Sequence, residues 1–333
     1  MTQALKTKEH GIFSRLILSV SSLLPKHSRL SAKVRRLVYG KSLKHMRNIS
    51  RQFSLSASSD KLAYDIFWDG KKLGSTVPFP PSINDEDIWL IATGPSINEL
   101  DLSLLKDKTI MGLNGAIVSC EKHNIPPDYY AITDRDFFEH RMHLVEKAMQ
   151  SGAHCFFSFN GLARICELAP DLLKTAKVSL IETVNRQYNT PQLSPEELYN
   201  NCSLDEDLEF PDFNLPKLGW SHDLSKGVFT ANTVAYIGCQ IAAQLKPKRV
   251  FILGMDLGSS GAAHARSYES GKNARPTTID RDYEKDILPA FRLLSTLQLT
   301  TKFYNLSTRS RLPESVMPKL TFDKALETTS SPQ

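Results

Sequence analysis

Short apolar runs alternate with amphipathic segments along the chain after residue 60. The runs are rich in β-branched and aromatic side chains, which is typical of buried strands. The predicted strands are Ile88–Ala92, Thr109–Leu113, Tyr129–Thr133, His154–Ser158, Val178–Ile181, Arg249–Leu253 and Lys302–Asn305. The predicted helices are Glu139–Ser151, Gly161–Leu168, Thr233–Leu245 and Asp282–Leu297. This order predicts an α/β fold with a doubly wound, mostly parallel, Rossmann-like sheet.

The stretch from residue 183 to residue 226 interrupts this alternation. It contains four prolines and the acidic run Asp205-Glu206-Asp207. A plain connection of this length is uncommon inside a compact domain. We therefore expect residues 183–226 to form an inserted lid or small subdomain over a binding site.

The first 60 residues differ from the rest of the chain. Apolar residues between Ile12 and Leu24 follow one stripe of a helix, which Pro25 ends. The stripe is too short for a membrane span and lacks a small-residue cleavage site. A polar stretch from Arg51 to Asp60 leads into the body. We expect residues 1–60 to form a basic amphipathic extension and residues 61–333 to form the α/β domain.

Charge also separates the extension from the body. The chain has a net charge of +5, and twelve of its 41 Lys and Arg residues lie between Lys6 and Arg51, where Glu9 is the single acid. Such a segment suits an anionic membrane surface, where each cation contributes about 1 kcal/mol. A helix packed on the body and a basic arm for nucleic acid are the alternatives. The basic segment has no group of aromatic residues on which bases could stack and no known nucleic-acid-binding motif. We therefore expect no nucleic-acid partner.

Five cysteines are scattered along the chain without a CxxC pair. This usage is typical of reduced thiols in a cytosolic protein. Cys155 and Cys239 lie in apolar surroundings, and we expect them to be core residues without chemistry.

The turn after the first predicted strand, Thr93–Ser96, has the sequence Thr-Gly-Pro-Ser. Gly94 permits close backbone approach, Pro95 fixes φ, and Ser96 offers a hydroxyl or a helix cap. An ordinary strand-to-helix turn is the alternative. At the carboxyl edge of a parallel sheet, a turn of this kind is where nucleotides bind.

Polar residues follow three other predicted strands: Asn114, Asp134 and Asp256. Each of them alone is a common helix cap. Because the carboxyl ends of neighbouring parallel strands meet in one crevice, the set together with the Thr93–Ser96 turn predicts a ligand site.

Two blocks of the sequence resemble known glycosyltransferases. The first joins the turn Thr93–Ser96 to Glu99–Asp101, Leu104-Leu105 and Asn114, and the second comprises Thr230–Ala235 and Lys248–Asp256. They resemble the bacterial sialyltransferases of glycosyltransferase family 42 and the wider set of lipopolysaccharide core proteins that includes the transferase adding a side-branch residue of Kdo (3-deoxy-manno-octulosonic acid). The resemblance implies a sialyltransferase-like variant of the GT-A fold and a CMP-activated acidic sugar of eight or nine carbons as donor.

The resemblance also implies roles for individual residues. Thr93 stands where the family has an asparagine beside the donor phosphate and sugar, and Asn114 matches the family's next asparagine. The segment Thr230–Thr233 matches a helix start that holds the cytidine phosphate, with Asn232 and Thr233 as the contacts. The predicted substrate-binding residues are Thr93, Gly94, Pro95, Ser96, Asn114, Asp134, Thr230, Asn232, Thr233, Asp256, Arg266 and Arg281.

The family has a histidine base and two tyrosines for the leaving phosphate between its Gly-x-Asp strand and its final helix. In that interval this chain has His264, Tyr268 and Tyr283, which we expect to be catalytic. His264 lies in the same interval of the sequence as the family's histidine but is not aligned with it. The alternative is that His264 has only a structural role in its loop, and His222 is then the second candidate for the base. The arginines in the same interval suit a carboxylate or phosphate.

Asp134-Arg135-Asp136 spells the Asp-x-Asp pattern with which many nucleotide-sugar transferases hold a divalent cation. Asp134 also stands where the family has a third asparagine, which leaves donor identity and metal use open. A CMP-sugar carries one phosphate, so a bridging metal has little to neutralise. We expect neither a metal nor a cofactor, and metal dependence is the alternative.

The resemblance predicts an inverting, CMP-sugar-dependent glycosyltransferase that moves Kdo from CMP-Kdo onto the lipopolysaccharide inner core. The basic extension predicts peripheral association with the cytoplasmic face of the inner membrane. Three alternatives stay open: a sialyltransferase, a non-catalytic membrane-bound nucleotide-binding scaffold, and a pterin pyrophosphokinase-like enzyme. The last is suggested by Gly254–Leu257 followed by His264-Ala265.

Overall fold

The computed structural model describes residues 43–58, 62–211, 217–258, 266–269 and 275–330. The predicted helix between Ile12 and Leu24 and the candidate base His264 lie outside these ranges. Within them, no helix is both long enough and apolar enough to cross a membrane.

Within the described residues, seven parallel strands form the central sheet and five further strands form two small sheets. The strands are β1 (Phe53–Ala57), β2 (Tyr64–Trp68), β3 (Lys71–Ser75), β4 (Asp87–Ile91), β5 (Thr109–Leu113), β6 (Tyr129–Ile132), β7 (His154–Phe157), β8 (Val178–Leu180), β9 (Leu208–Glu209), β10 (Trp220–Ser221), β11 (Arg249–Leu253) and β12 (Lys302–Asn305). The order across the central sheet is β12-β11-β4-β5-β6-β7-β8, and every neighbouring pair is parallel. The predicted doubly wound α/β fold is confirmed, with each predicted strand present to within one residue at either end.

The central strands are buried on both faces. In β4 the side chains of Ile88, Trp89, Leu90 and Ile91 are all completely buried. Ile88 and Leu90 belong to one core layer and Trp89 and Ile91 to the opposite layer. Parallel strands covered on both faces have continuous apolar sequences, which explains why their positions are readable from the sequence.

Helices cover both faces of the sheet. They are α1 (Ile117–His123), α2 (Arg135–His140), α3 (Met142–Gln150), α4 (Phe159–Leu168), α5 (Pro195–Cys202), α6 (Val234–Gln244), α7 (Ile279–Asp282), α8 (Leu288–Thr296) and α9 (Phe322–Ser330). A π-helical turn, Tyr283–Ile287, joins α7 to α8. The prediction of one helix over Glu139–Ser151 is wrong, because the backbone of Arg141 (φ −134°) leaves the helical region and separates α2 from α3.

Each face of the sheet has its own core. On one face, Tyr236 of α6 and Phe291 of α8 pack edge to face with ring centroids 5.3 Å apart. On the other face, α1 to α4, α9 and Ile66 of β2 share a second core. Such edge-to-face aromatic pairs contribute about 0.5–1.5 kcal/mol beyond the area that they bury.

A small antiparallel sheet, ordered β1-β2-β3, precedes the central sheet. Phe53 pairs with Trp68, and Ala57 pairs with Tyr64. The stretch from Arg51 to Asp60, which the sequence analysis treats as polar, therefore contains a strand. The predicted boundary at residue 60 falls inside this hairpin.

The insertion at residues 183–226 packs against the core. Its helix α5 begins at a capping box formed by Ser194 and Glu197. Leu198 and Trp220 are buried and belong to the same core as α6. Lys226 pairs with two carboxylates of the acidic run at 2.5 and 2.7 Å. The insertion is thus held by apolar burial on one side and by ion pairs on its surface.

All five cysteines are free thiols. Cys155 and Cys239 are completely buried, as the sequence predicts. Burial raises the pKa of Cys155 to about 12, so this thiol stays protonated and unreactive at neutral pH.

Tyr130 joins β6 to the turn that follows β5. Its ring lies over Gly112, where a Cβ would come within 2.4 Å of Tyr130 Cε2. Its hydroxyl donates to the carbonyl of Asn114 at 2.6 Å and accepts from the backbone N–H of Ile117 at 2.7 Å. This one hydroxyl therefore satisfies two backbone groups between the end of β5 and the start of α1.

Replacing Tyr130 with Phe leaves both backbone groups without that partner. We expect the free energy of unfolding to fall by about 1–3 kcal/mol, measured by urea denaturation. Tyr129→Phe is the matched control, because the half-buried Tyr129 has no hydrogen bond to lose within the described residues. We expect it to change stability by less than about 0.5 kcal/mol, and equal losses in the two variants would contradict the role assigned to the Tyr130 hydroxyl.

Candidate active site at the carboxyl edge of the sheet

The direction of strand addition reverses between β4 and β11. From β4 the chain adds β5 to β8 on one side of the sheet, and β11 and β12 lie on the other side. Open α/β folds bind ligands at such a point, outside the carboxyl ends of the strands. The turn Thr93–Ser96 leaves β4 here, and Gly254–Asp256 leaves β11.

Asp256 holds these two turns together. Its Oδ2 accepts the backbone N–H of Ser96 at 2.9 Å, and its Oδ1 accepts the hydroxyls of Ser96 and Ser307. Ser307 follows β12, so one carboxylate joins the ends of three strands. Asp256 is only 6% exposed, and a buried carboxylate requires donors of this kind. We call Ser96, Asp256 and Ser307 the Asp256 clamp.

Gly94 lets the two turns approach closely. Its N–H donates to the carbonyl of Gly254 at 2.7 Å. A Cβ at this position would lie 2.5 Å from that carbonyl oxygen and 2.6 Å from the Asp256 carboxylate. Pro95 then begins a short 3₁₀ helix, Pro95–Glu99. Gly94 is therefore required by backbone packing within the clamp.

Asn114 ends β5 in a left-handed conformation with φ of +48°. Asparagine tolerates this region better than most residues. Its carbonyl is occupied by Tyr130, but its side-chain Oδ1 is buried and has no hydrogen-bond partner within the described chain. Asn114 therefore presents an unused acceptor among the described residues, and its role in ligand binding stays a prediction.

The segment 266–269 joins the crevice from the other side. The N–H of Ser267 donates to the carbonyl of Thr93 at 2.8 Å. The ring of Tyr268 lies against Gly115, where a Cβ would be 2.2 Å from Tyr268 Cδ1. Burial raises the pKa of Tyr268 to about 12, so its hydroxyl stays protonated and able to donate. Thr93, Asn114 and Tyr268 are thus brought to neighbouring positions at this edge.

Glu269 anchors the same segment. Its buried carboxylate accepts from Arg266 at 3.1 and 3.2 Å and from Arg141 at 3.5 Å. Arg266 also donates to the carbonyl of Arg275 at 3.1 Å. The structure therefore places Arg266, a predicted substrate contact, in an ion pair that shapes the loop.

Asp134 is exposed and caps α2 by accepting the backbone N–H of Asp136 at 2.9 Å. The charge of Asp134 contributes to the raised pKa of Tyr268, so the two side chains share one region. Among the described residues, no three His, Cys, Asp or Glu side chains converge as a metal site.

A pocket of about 150 Å³ lies at the start of α6. Its walls are the turn Thr183–Arg186, residues 217–218, the segment Val228–Asn232, Leu198 and Asp286. Ala231 and Asn232 both adopt positive φ, at +43° and +53°, which folds the backbone tightly before the helix. We call this cavity the α6 pocket.

The predicted phosphate-binding residues lie at this pocket. Thr230 and Asn232 are exposed on its wall, and Thr233 caps α6 by accepting the N–H of Ala235 at 3.3 Å. The Nδ2 of Asn232 donates to Oδ2 of Asp286 at 2.5 Å. These three residues therefore lie at the N-terminal end of α6, and their role in phosphate binding stays a prediction.

Tyr283 and Arg281 make contacts within the protein. Tyr283 is buried, its hydroxyl donates to the carbonyl of Arg311 at 2.9 Å, and the Arg311 guanidinium lies 3.8 Å from its ring centroid. Arg281 is 71% exposed and pairs with its neighbour Asp282. Because the N–H of Arg311 donates to the carbonyl of Asp256 at 2.9 Å, Tyr283 supports the Asp256 clamp through Arg311.

His264 and His222 are the two candidates for the base. His222 is exposed in the insertion, with Nε2 at 3.6 Å from Glu209. His264 lies outside the described residues.

Comparison with known proteins gives this fold a family. A family model described as 6-hydroxymethylpterin diphosphokinase MptE-like matches residues 71–262, which is more than half of the chain. The chain belongs to this MptE-like family. The match covers β3 to β11 and ends soon after Asp256.

A second model overlaps the MptE-like match and extends beyond it. It is described as 3-deoxy-D-manno-octulosonic acid transferase WaaZ and matches residues 214–323. A probable 3-deoxy-manno-octulosonic acid transferase from Escherichia coli K12 is 25% identical over 244 residues, covering 70% of this chain and 82% of the relative. A protein of the same description from Salmonella typhimurium LT2 is 23% identical over 254 residues, covering 71% and 87%. The predicted relation to Kdo transferases of the lipopolysaccharide core is confirmed, whereas the relation to glycosyltransferase family 42 stays a prediction.

Among solved structures, the MAf glycosyltransferase from Magnetospirillum magneticum AMB-1 is similar, with a TM-score of 0.43 and 12% identity. The similarity covers 97% of this chain and half the length of that protein.

Several residues of the candidate site are not among those predicted from the sequence. Ser307 follows the last predicted strand, so the rule that singles out polar residues at strand ends applies to it as well. Asp286 lies in the π-helical turn, where the other buried residues are Tyr283 and Ile287. Lys217 and Ser267 carry no local signal, because long-range packing alone brings them to the site.

Gly94→Ala places a methyl group against the Gly254 carbonyl and the Asp256 carboxylate. We expect this overpacking to lower the free energy of unfolding by about 1–3 kcal/mol and to weaken any ligand bound at the crevice. Gly258→Ala is the matched control, because a Cβ there meets its nearest atom at 3.9 Å. Thermal unfolding of both variants is the measurement, and a neutral Gly94→Ala would show that the two turns separate easily.

Proposed function

We propose that this protein is an inverting glycosyltransferase that moves Kdo from CMP-Kdo onto the inner core of lipopolysaccharide. The WaaZ match and both curated relatives support a Kdo transferase of lipopolysaccharide biosynthesis. The matches do not specify a CMP-activated donor or inversion at the anomeric carbon. For these two points the proposal relies on the residues at the carboxyl edge of the central sheet.

The Asp256 clamp is the observation that carries the proposal. Ser96 lies only in the MptE-like match, Ser307 lies only in the WaaZ match, and Asp256 lies in both. The clamp therefore joins the two matched parts at one crevice. This crevice has the position at which open α/β folds bind nucleotides.

The donor phosphate fits the start of α6. The first backbone N–H groups of a helix lack partners within it, and the helix dipole favours an anion there. Helix α6 supplies these groups from Val234 on, directly after the segment Thr230–Thr233, and Tyr268 supplies a protonated hydroxyl from the crevice. The free Oδ1 of Asn114 and the turn at Thr93 complete the donor contacts in this proposal.

In the proposed reaction an acceptor hydroxyl attacks the anomeric carbon of the sugar while His264 removes the hydroxyl proton. The bond from the anomeric carbon to the phosphate oxygen breaks, and CMP leaves with the electron pair. Attack from the opposite face inverts the configuration at that carbon. Donors that surround the leaving phosphate stabilise its developing charge, so a metal ion is not required.

The acceptor is attached to lipid, and the basic extension gives the enzyme a means of reaching it. Residues 1–60 have 12 Lys and Arg against two acidic residues, a net charge of +10, whereas the remaining residues have 29 Lys and Arg against 34 acidic residues, a net charge of −5. In this proposal they hold the protein peripherally at the anionic cytoplasmic surface of the inner membrane.

The MptE-like match favours a pterin pyrophosphokinase-like enzyme as the second candidate. That reaction uses ATP with Mg²⁺, and Asp134 and Asp136 are the carboxylates available for the metal at the same edge. The sialyltransferase and the non-catalytic scaffold remain the further alternatives, and ligand binding separates all four.

Thermal unfolding of the full-length protein with CMP, CDP, UDP or ATP, each with and without Mg²⁺, tests the donor. We expect CMP to stabilise the protein equally with and without the metal. A ligand at 100 times its dissociation constant adds about 2.7 kcal/mol, which the assay resolves. Stabilisation by ATP only in the presence of Mg²⁺ would instead support the pyrophosphokinase-like enzyme.

His264→Ala tests the base. We expect transfer from CMP-Kdo to a lipopolysaccharide acceptor to fall at least about 100-fold, because general bases contribute about 10²–10⁴-fold, while CMP binding stays unchanged. Transfer is measured with CMP-sialic acid alongside, and His222→Ala is made in parallel. Full turnover by His264→Ala would refute the assignment, and loss in His222→Ala alone would move the role to His222. CMP binding without turnover on any acceptor would favour the scaffold.

A further inference from the structure

The charged groups of the α6 pocket face an open cavity, which distinguishes this pocket from the crevice beside the Asp256 clamp. In the clamp the carboxylate is surrounded by protein donors, whereas in the α6 pocket charged side chains of both signs line an open cavity. Lys217, Arg186 and Asp286 supply these charges. Arg186 and Lys217 lie near the two ends of the insertion and Asp286 lies in the π-helical turn, so parts of the chain that are distant in sequence converge here.

The charges of the α6 pocket do not cancel. Lys217 pairs with Asp286, but the exposed guanidinium of Arg186 makes no ion pair within the described part of the chain. Two cations against one carboxylate leave one excess positive charge. A planar guanidinium binds a carboxylate bidentately, so a ligand with one carboxylate matches the pocket in charge and geometry.

Asp286 adds a second kind of recognition. It is only 5% exposed, and it accepts from Asn232 and pairs with Lys217. A carboxylate has about four acceptor positions, so two contacts leave capacity for ligand hydroxyls. The hydroxyl of Thr230 and the amide of Asn232 lie on the same wall, while Leu218 and Phe229 provide apolar surface for the carbon skeleton.

The volume of the pocket limits what it can hold. At about 150 Å³ it is smaller than the roughly 300–1,000 Å³ typical of sites for drug-sized ligands. One sugar unit fits these dimensions, and a complete sugar nucleotide does not. The pocket adjoins Thr230–Thr233, so a sugar held there lies next to the proposed phosphate position.

We propose that the α6 pocket is the specificity site for the acidic sugar, with Arg186 and Lys217 binding its carboxylate and Asp286 and Asn232 binding its hydroxyls. This inference rests on the proposed function for the identity of the sugar. It assigns to Arg186, Lys217 and Asp286 the selection of an acidic over a neutral sugar.

Binding of free Kdo and of its neutral methyl ester to the full-length protein, followed by saturation-transfer NMR, tests this inference. Arg186→Gln and Lys217→Met are compared with the wild type, and CMP is titrated separately into each protein. Lys174→Met is the control, because this exposed lysine pairs with Asp171 away from the pocket. Arg186 has no ion pair to lose, so its variant keeps the test valid if Lys217→Met is unstable.

We expect Kdo to bind the wild type and Lys174→Met alike and at least tenfold more tightly than its methyl ester. Arg186→Gln and Lys217→Met should each weaken Kdo binding at least tenfold while CMP binding stays within twofold. Equal binding of Kdo and its ester, or full Kdo binding by Arg186→Gln, would overturn the inference even if CMP binds. Charge-selective Kdo binding without CMP binding would uphold the pocket and refute the CMP donor.

Discussion

The arrangement of this site depends on the hydrogen bonds between β4 and β11, which continue beyond the carboxyl ends of both strands into the turns that follow them. Ala92, Gly94 and Ser96 are alternate residues, and their N–H groups donate to the carbonyls of Leu253 and Gly254 and to the carboxylate of Asp256. A side chain thus replaces the backbone carbonyl as the last acceptor. Since that carboxylate also binds Ser307, the direction in which three strands leave the sheet is set by one buried anion.

The polar groups at this edge fall into two classes. Asp256, Glu269 and Tyr283 find their partners within the protein and keep the loops in place. The Oδ1 of Asn114 and the hydroxyl of Ser267 are buried without partners among the described residues. Unpaired buried groups are costly in a folded protein, so they identify the part of the edge that is left for a ligand.

Much of the fold is readable from the sequence because the central strands are covered on both faces. Continuous runs such as Ile88–Ala92 then identify strands without any reference to partners. The strand Phe53–Ala57 is not predicted from the sequence, because it is half exposed and contains two serines, so it has no continuous apolar run. The break at Arg141 is equally hidden, since the apolar period continues from α2 into α3.

The candidate site is less predictable for a physical reason. Residues at strand ends, such as Ser96 and Asp256, are constrained to one edge by the parallel topology, so their proximity follows from the fold. The fold alone does not predict whether each side chain is bonded within the protein or is open to a ligand. Partners such as Arg311 for Tyr283 and Lys217 for Asp286 come from distant parts of the chain. The sequence therefore identifies the region of the site, and long-range packing determines which groups in it stay open.

The distance along the chain between the two halves of the clamp has a consequence for biosynthesis. Ser96 and Asp256 are 160 residues apart, so β4 leaves the ribosome long before β11 is made. At about 5–20 residues per second, β4 waits roughly 10–30 s for this partner. During that interval one side of the apolar strand β4 has no neighbour, and an unpaired edge of this kind is prone to association with other chains. A nascent chain that ends before residue 249 is therefore a natural substrate for chaperones that cover apolar strands.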